Sequence, residues 1–449
     1  MTKQIKIKRG LDIKLMGKAE EKLQTIKSKR YALKPTDFHG LFPKLLVKVG
    51  DQVQRGTPVY SDKNRDYIKF TSPVSGVVAD IVRGEKRKIF EIIIESDGSD
   101  SFVKFDVADY KSKSAETLKS LLVESGIWAY IRQRPYNVVA NPIDKPNAIF
   151  ISAFDTAPLA ANVDFTMQGK KEAFQAGINA LSKIGNCKIY LGINSQTRCE
   201  TFTQAQGVEV IGFDGPHPAG NVGIQIHHVS PINKGDIYWT VQPQDVATIG
   251  NLFLKGQYDS QLNIAVCGSE VKNPQYYTVN RGSEVAPLLK DNLKVEDNFR
   301  IISGNVLTGT KVEKTGFISF YHNSLTIIPE GFKRDFMGWL IPSPEKHSFY
   351  RTSLSWLMPN KEYRLNTNIN GGERAFVFTG EMEKVFPMNI YPMQLLKSII
   401  VEDIDQMEQL GIYEVVEEDF ALCEYISTSK IEIQDLIRQG LDMVRKEMS

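Results

Sequence analysis

Cysteine is scarce: Cys187, Cys199, Cys267 and Cys423 are the only four in 449 residues, and no two have C-x-x-C spacing. A disulfide framework is excluded at that density, and so are zinc ribbons and cysteine-ligated iron–sulfur clusters, which need closely spaced thiolates. No apolar stretch approaches the ~18 residues of a membrane-crossing helix, and the opening MTKQIKIKRGLDIKLMG lacks the apolar centre of a signal peptide. Net charge is also missing. Lys and Arg number 55 against 53 Asp and Glu, a formal +2, which gives no reason to expect nucleic-acid binding across the surface. Internal repeats and low-complexity tracts are absent. What remains is ordinary globular composition, 42% apolar and 24% charged, in a chain long enough for several domains.

Charge is uneven at the start. Residues 1–30 hold ten basic side chains against Asp12, Glu20 and Glu21, a solvated face that an acidic partner or anionic lipid could meet. From Phe42 to Glu95, β-branched runs of four to six residues alternate with turn residues, which predicts a small closed β module without an α-helix. Ser114 and Gly126 bracket a capped amphipathic helix. Ala148–Ala153 (AIFISA) is an unbroken apolar strand, Phe174 to Ile184 has helical spacing, and Lys188–Leu191 is a second strand. That order predicts a βαβ unit with a parallel sheet. Residues 261–330 return to short strands, with Asn263–Val266, Tyr276–Val279, Phe299–Ile302 and Gly316–Tyr321 expected and one helical stretch near Glu284–Leu289. After about 335 helical patterning takes over, strongest from Met393 to Leu410 and from Leu436 to Val444. The expected architecture is multidomain α/β. It comprises an N-terminal β module (1–105), a Rossmann-like domain (106–260), a mixed α/β module (261–330) and a mainly helical C-terminal domain (331–449).

Ligand signals are sparse. No G-x-G-x-x-G follows AIFISA; the chain reads Phe154-Asp155-Thr156-Ala157-Pro158, without the glycines that let a pyrophosphate approach the backbone. Gly304 to Lys311 (GNVLTGTK) echoes a P-loop, but Thr and Lys stand in reversed order. Gly215-Pro216-His217-Pro218-Ala219-Gly220-Asn221-Val222-Gly223 is the densest unusual segment. It reads either as a rigid loop or as a binding loop at the carboxyl ends of the strands, with His217, Gly220 and Gly223 as candidates. His217 with His227-His228 lacks the carboxylate companions of a metal site, and no metal is expected. Trp128, Tyr130, Arg132, Arg134 and Tyr136 interleave aromatic and cationic groups that could stack on a planar ligand or simply pack between domains. Glu402, Asp403 and Asp405 read as an exposed helix face rather than a cation site. Gly371-Gly372-Glu373-Arg374 is expected to turn into a strand.

Several of these segments together resemble the A subunit of the Na+-translocating NADH:quinone reductase. The carrying residues, in the family's order, are Gly10-Leu11-Asp12, Ser125–Trp128 with Arg132 and Arg134-Pro135-Tyr136, Gly215–Gly220, Ile302–Gly309, Asn370–Ala375 and Glu418–Cys423. The family is distantly similar to the C subunit of the Rnf complex and to the NADH-binding flavoprotein subunit of complex I. This chain departs from those relatives at two places. Ile127–Arg132 stands where they carry a glycine-rich flavin loop, and Cys423 stands alone where they carry cysteine clusters.

The resemblance implies a biotinyl/lipoyl-like barrel-sandwich module, a Rossmann-like domain, a β-grasp (soluble-ligand-binding) module opened by Gly268–Pro274, and a helical end. Asp62-Lys63-Asn64 sits where biotinyl and lipoyl domains present a modified lysine, but without their Met-Lys-Met motif. It implies a peripheral subunit on the cytoplasmic side of a six-subunit membrane complex that oxidises NADH, reduces quinone and exports Na+, contacting the membrane B subunit in particular. Flavins and the 2Fe-2S centre are expected in other subunits. Quinone is the ligand expected here, with Trp128, Tyr130, Arg132, Arg134 and Tyr136 as candidate contacts and no catalytic residue of the chain's own. The rival readings are a self-contained NADH-oxidising flavoprotein, a carrier modified on Lys63, and a scaffold that touches no substrate.

Overall fold

The computed structural model describes residues 3–332, 337, 343–351 and 353–448. The β module forms where the β-branched runs are densest. A four-stranded antiparallel sheet (Arg30–Leu33, Ile89–Ser96, Gly76–Arg83, Gln52–Val53) packs on a three-stranded one (Pro43–Leu45, Pro58–Asp62, Arg65–Thr71). Val59, Ile68, Val78, Ile92 and Ile94 fill the space between them. This is the barrel-sandwich arrangement, with Lys63-Asn64 as the turn of a tight hairpin.

The next domain is built on a seven-stranded sheet in the order Lys3–Lys6, Glu209–Asp214, Lys188–Asn194, Ala148–Ser152, Tyr238–Thr240, Arg132–Arg134, Val138–Val139. The first five strands run parallel, Arg132–Arg134 runs against them, and Val138–Val139 turns back antiparallel to it. AIFIS is apolar throughout because both its faces are covered. Ile149 and Ile151 point to the layer containing helix Lys171–Gly185, while Ala148 and Phe150 point to the layer built with the C-terminal helices. After Ala148–Ser152 the chain winds one way through Lys188–Asn194 and Glu209–Asp214. It then crosses back through helix Val222–Val229 to place Tyr238–Thr240 on the other side of Ala148–Ser152. The reversal leaves a crevice at the carboxyl ends of those two strands.

The third module is a six-stranded sheet in the order Thr310–Val312, Phe299–Ser303, Ser324–Pro329, Gln261–Cys267, Gln275–Asn280, Glu20–Thr25. The expected strand at Gly316–Tyr321 is not formed. Glu313 to Gly316 makes a turn, Phe317 contributes one isolated bridge to Glu284, and the strand is Ser324–Pro329, whose Leu325 and Ile327 are fully buried. Residues 3–6 and 20–25 leave the first module altogether, adding edge strands to the second and third sheets.

The C-terminal helices are Pro392–Ile400, Ile404–Gln409, Ala421–Ile426 and Ile433–Glu447. Residues 333–336 and 338–342, where helical patterning is expected to begin, lie outside the described residues; beyond them regular helix starts later than the sequence pattern indicates. Among the described residues from 343 to 391 the helical structure is limited to short 3-10 turns, and the segment after Gly371-Gly372 is irregular rather than a strand.

Candidate functional site

The crevice at the strand reversal encloses about 770 Å³, counting solvent at its mouth. Ser152 and Thr240 end the two diverging strands on its floor, Phe154 and Asp155 follow the first of them, and Gln242 and Pro243 follow the second. The 217–222 loop forms one wall. Asn305, Leu307, Thr308 and Asn323 of the β-grasp module close it from above, and Glu418 closes it from the C-terminal domain. Three of the four modules therefore meet here, and a ligand in the crevice would touch all three.

Of the sequence-derived candidates, Arg132, His217 and Gly220 line this crevice. Arg132 is half-buried with its guanidinium 4.8 Å from the centre of the Tyr321 ring, a stacking contact that holds it at the rim. His217 is buried. Its Nδ1 lies 3.1 Å from Thr156 Oγ1, and Thr156 Oγ1 in turn accepts from the Gly220 N–H at 3.0 Å. Burial pushes His217 down to about 4, so it is neutral near pH 7. Gly220 also accepts from Ser152 Oγ at 2.8 Å, which ties the loop to the strand end.

The other candidates lie behind the walls. Trp128 is fully buried, donating Nε1–H to the Ala140 carbonyl at 2.7 Å and meeting Trp239 edge-on. Tyr130 is buried against Phe320 and bonded to the Tyr258 hydroxyl at 2.7 Å. Ile127 to Tyr130 form a 3-10 turn with all four side chains buried. Tyr136 is half-buried and edge-on to Tyr413. Arg134, 1% exposed, reaches two carboxylates: Glu418 Oε1 at 2.6 Å and Asp419 Oδ2 at 3.3 Å. Gly223 opens helix Val222–Val229, and a Cβ there would sit 2.6 Å from both oxygens of Asp419. The positive end of that helix, where an outside anion could bind, thus already faces the chain's own carboxylate.

Sequence reasoning missed Asp155, Thr240, Asn305, Asn323 and Glu418. Asp155 and Thr240 had one available signal, their position at the carboxyl ends of strands. Asp155 is exposed at the crevice, and the partial loss of water there still raises its carboxyl above the usual range. Thr240 is 2% exposed, and its hydroxyl has no hydrogen-bond partner among the described residues. A buried hydroxyl left unpaired on the floor of a crevice is a donor waiting for an acceptor. Asn305 Oδ1 accepts from the Leu307 and Thr308 N–H groups at 2.8 and 3.0 Å, making a tight turn rather than a phosphate loop. The histidines are separately engaged, His227 with Glu414 and His228 with the Ile224 carbonyl, and the described residues contain no cluster of metal-ligating side chains.

Two buried groups here titrate with opposite consequences. Asp419 is raised to about 6, chiefly by desolvation, which outweighs the pull of Arg134 and is reinforced by Glu418. Its folded value lies above the unfolded ~3.9, so its contribution to stability falls as pH rises through that window and returns on acidification. His217 is depressed from ~6.5 to about 4, so its contribution is present above the unfolded value and lost as pH falls between the two. From about pH 7 to about pH 5, melting temperature should therefore shift in favour of the natural protein relative to Asp419→Asn, and against it relative to His217→Asn. Scanning fluorimetry at the two pH values checks both signs; gaps that do not move contradict the assignment.

Three domain families match consecutive stretches: the NqrA N-terminal barrel-sandwich hybrid domain over residues 5–97, the NqrA second alpha/beta domain over 113–258, and the NQRA C-terminal domain over 263–314. The A subunit of the Na(+)-translocating NADH-quinone reductase of Hahella chejuensis is 36% identical over 447 residues, covering 99% of this chain and 100% of the relative. That of Vibrio anguillarum is also 36% identical over 447 residues, with 99% and 100% coverage. That of Neisseria meningitidis serogroup B is 35% identical over 449 residues, again with 99% and 100% coverage. An air-oxidised NAD+-reducing [NiFe]-hydrogenase superposes at a TM-score of 0.40 and 12% identity over 76% of this chain and 68% of its own, a distance at which function does not transfer. Full-length identity above one third, with matching domain families in the same order, establishes that this chain belongs to the NqrA family, the A subunits of Na+-translocating NADH-quinone reductases.

Proposed function

We propose that the chain works as a peripheral subunit of the Na+-translocating NADH:quinone reductase and assists quinone reduction by holding the quinone headgroup in the strand-reversal crevice. Complex membership follows from the family. No helix of the described residues is long and apolar enough to cross a membrane. The chain would sit on the cytoplasmic side in contact with other subunits, the membrane B subunit first among them. Flavins and the 2Fe-2S centre would lie in those other subunits, and electrons would arrive from them.

The observation that carries the quinone reading is the unpaired Thr240 hydroxyl on the floor of the crevice. A quinone presents two carbonyl acceptors on a planar ring and needs a donor at each end. Thr240 Oγ–H would serve one and Arg132 the other, with Phe154, Val241 and Leu307 as apolar walls. Trp128, Tyr130 and Arg134 would act from behind, fixing the strand on which Arg132 sits. The Arg132 charge would strengthen its hydrogen bond as negative charge builds on the quinone oxygen.

Thr240→Val tests this directly. The swap is nearly isosteric and removes a hydroxyl that bonds nothing among the described residues, so thermal stability should stay within about 0.5 kcal/mol of the natural value or rise. Quinone affinity should fall by about 3- to 10-fold, the worth of one hydrogen bond. A photoreactive quinone on the intact complex should label the 152–157, 217–223 or 305–308 peptides, and Arg132→Ala should reduce that labelling about tenfold. Labelling confined to other subunits would leave this chain as a scaffold.

A further inference from the structure

The barrel-sandwich module carries a surface that its own packing does not use. From Leu41 to Lys48 the side chains alternate: Leu41, Leu45 and Val47 pack against the module's core, while Phe42, Lys44, Leu46 and Lys48 face outward. Phe42 is 57% exposed, Leu46 46% and Val49 58%. Strand Pro43–Leu45 lies at the edge of its sheet, paired only with Pro58–Asp62. The Phe42 carbonyl accepts from the Lys63 N–H at 2.7 Å, which sets the exposed hairpin-turn lysine beside the same strip.

Lys44, Lys48 and Lys63 make no ion pair among the described residues. Two acids of the module are turned to internal uses. Asp51 Oδ2 accepts from the Lys48 N–H at 2.7 Å in a turn, and Asp62 is buried on Arg65 at 2.9 Å. The strip therefore offers three apolar side chains flanked by three free ammonium groups, on a sheet edge. Lysines on an open strand edge discourage pairing with another strand. Apolar groups interleaved with lysines on a flat face match the boundary of an anionic bilayer, which takes the first into its headgroup region and the second against its phosphates. A family that translocates Na+ works at a membrane, and no described helix supplies its own anchor.

We propose that the Phe42–Val49 strip, with Lys63, is a bilayer-facing surface that rests on anionic phospholipid. Phe42, Leu46 and Val49 enter the headgroup boundary while Lys44, Lys48 and Lys63 meet lipid phosphates. The full chain should float with vesicles containing about one quarter phosphatidylglycerol and stay unbound with pure phosphatidylcholine. Lys44→Glu with Lys48→Glu should lower binding at least tenfold, and so should Phe42→Ser with Leu46→Ser. Tyr391→Ser, at a 63% exposed position in the C-terminal domain, should leave binding unchanged. In the intact complex, a photoactivatable phospholipid should label the 41–63 peptide. The proposal is overturned if the chain binds neither vesicle, if the strip variants float like the natural chain, if Tyr391→Ser loses binding equally, or if lipid labels only other segments.

Discussion

Arg281→Met is expected to lower the stability of the folded chain by about 3–5 kcal/mol, because it strands the Asp245 carboxylate in the interior. Asp245 is 1% exposed and Arg281 3%, and the two are in direct contact. Asp245 lies in the first turn of helix Pro243–Lys255 and Arg281 directly follows strand Gln275–Asn280, so the pair joins the Rossmann-like domain to the β-grasp module. The same guanidinium donates to the Phe320 carbonyl at 2.7 Å and covers the Tyr130 ring at 4.4 Å. Methionine keeps most of the volume but none of these bonds. Desolvation already raises Asp245, and without Arg281 nothing remains to hold it ionised except the more distant Arg132 and Lys170.

The double variant Asp245→Asn/Arg281→Met separates the cost of an unpaired charge from the worth of the pair. Replacing both members leaves no buried ion, so more than half of the lost stability should return. Urea denaturation followed by tryptophan fluorescence gives the comparison. If the double variant is as unstable as the sum of the singles, the contact is valued for its packing and hydrogen bonds, and the unpaired-charge account is wrong. Gln242 and Pro243 line the crevice just before Asp245, so the single variant should also weaken quinone labelling there.

What the sequence revealed, and what it hid, follows from how local each feature is. AIFIS, the Ser114-capped helix and the helix from Lys171 declare themselves because apolar spacing and capping act within one turn or one strand. Sequence pattern alone puts a strand at Gly316–Tyr321, whereas the fold puts it at Ser324–Pro329. Both runs are apolar, and only pairing with Phe299–Ser303 and Gln261–Cys267 selects between them. The excursions of residues 3–6 and 20–25 into foreign sheets leave no local mark, since Lys3–Lys6 and Glu20–Thr25 are mostly polar edge strands. The site divides along the same line. Arg132, His217 and Gly220 lie in segments that look unusual in isolation. Thr240 and Asn323 are common residues whose meaning comes only from three modules closing on one crevice, and Asn305 and Glu418, though inside the family-like segments Ile302–Gly309 and Glu418–Cys423, carry no chemical mark of a site there. Trp128, Tyr130 and Arg134 drew attention through composition, and composition does not distinguish a side chain that supports a wall from one that faces a ligand.

Gly10→Ala is expected to cost about 2–4 kcal/mol and to disrupt the crevice wall. Gly10 has φ +148°, a conformation that L side chains rarely adopt, and its added Cβ would lie 2.1 Å from the His217 carbonyl oxygen. The clash is with backbone, so no side chain can swing away to relieve it. That backbone is also held in place: the Leu11 N–H donates to the same His217 carbonyl at 2.9 Å, and the His217 N–H donates to Asp12 Oδ1 at 2.9 Å. Residues 10–12 therefore act as a clamp on the loop that carries His217 and Gly220. Forcing them apart should displace the loop even where the chain stays folded. Gly235→Ala isolates the backbone term, since Gly235 has φ +90° but open space around its Cβ position. It should cost about 1 kcal/mol and leave quinone labelling intact. If Gly10→Ala proves as mild as Gly235→Ala in melting temperature and in labelling of the 217–223 peptide, the clamp is not holding the crevice wall.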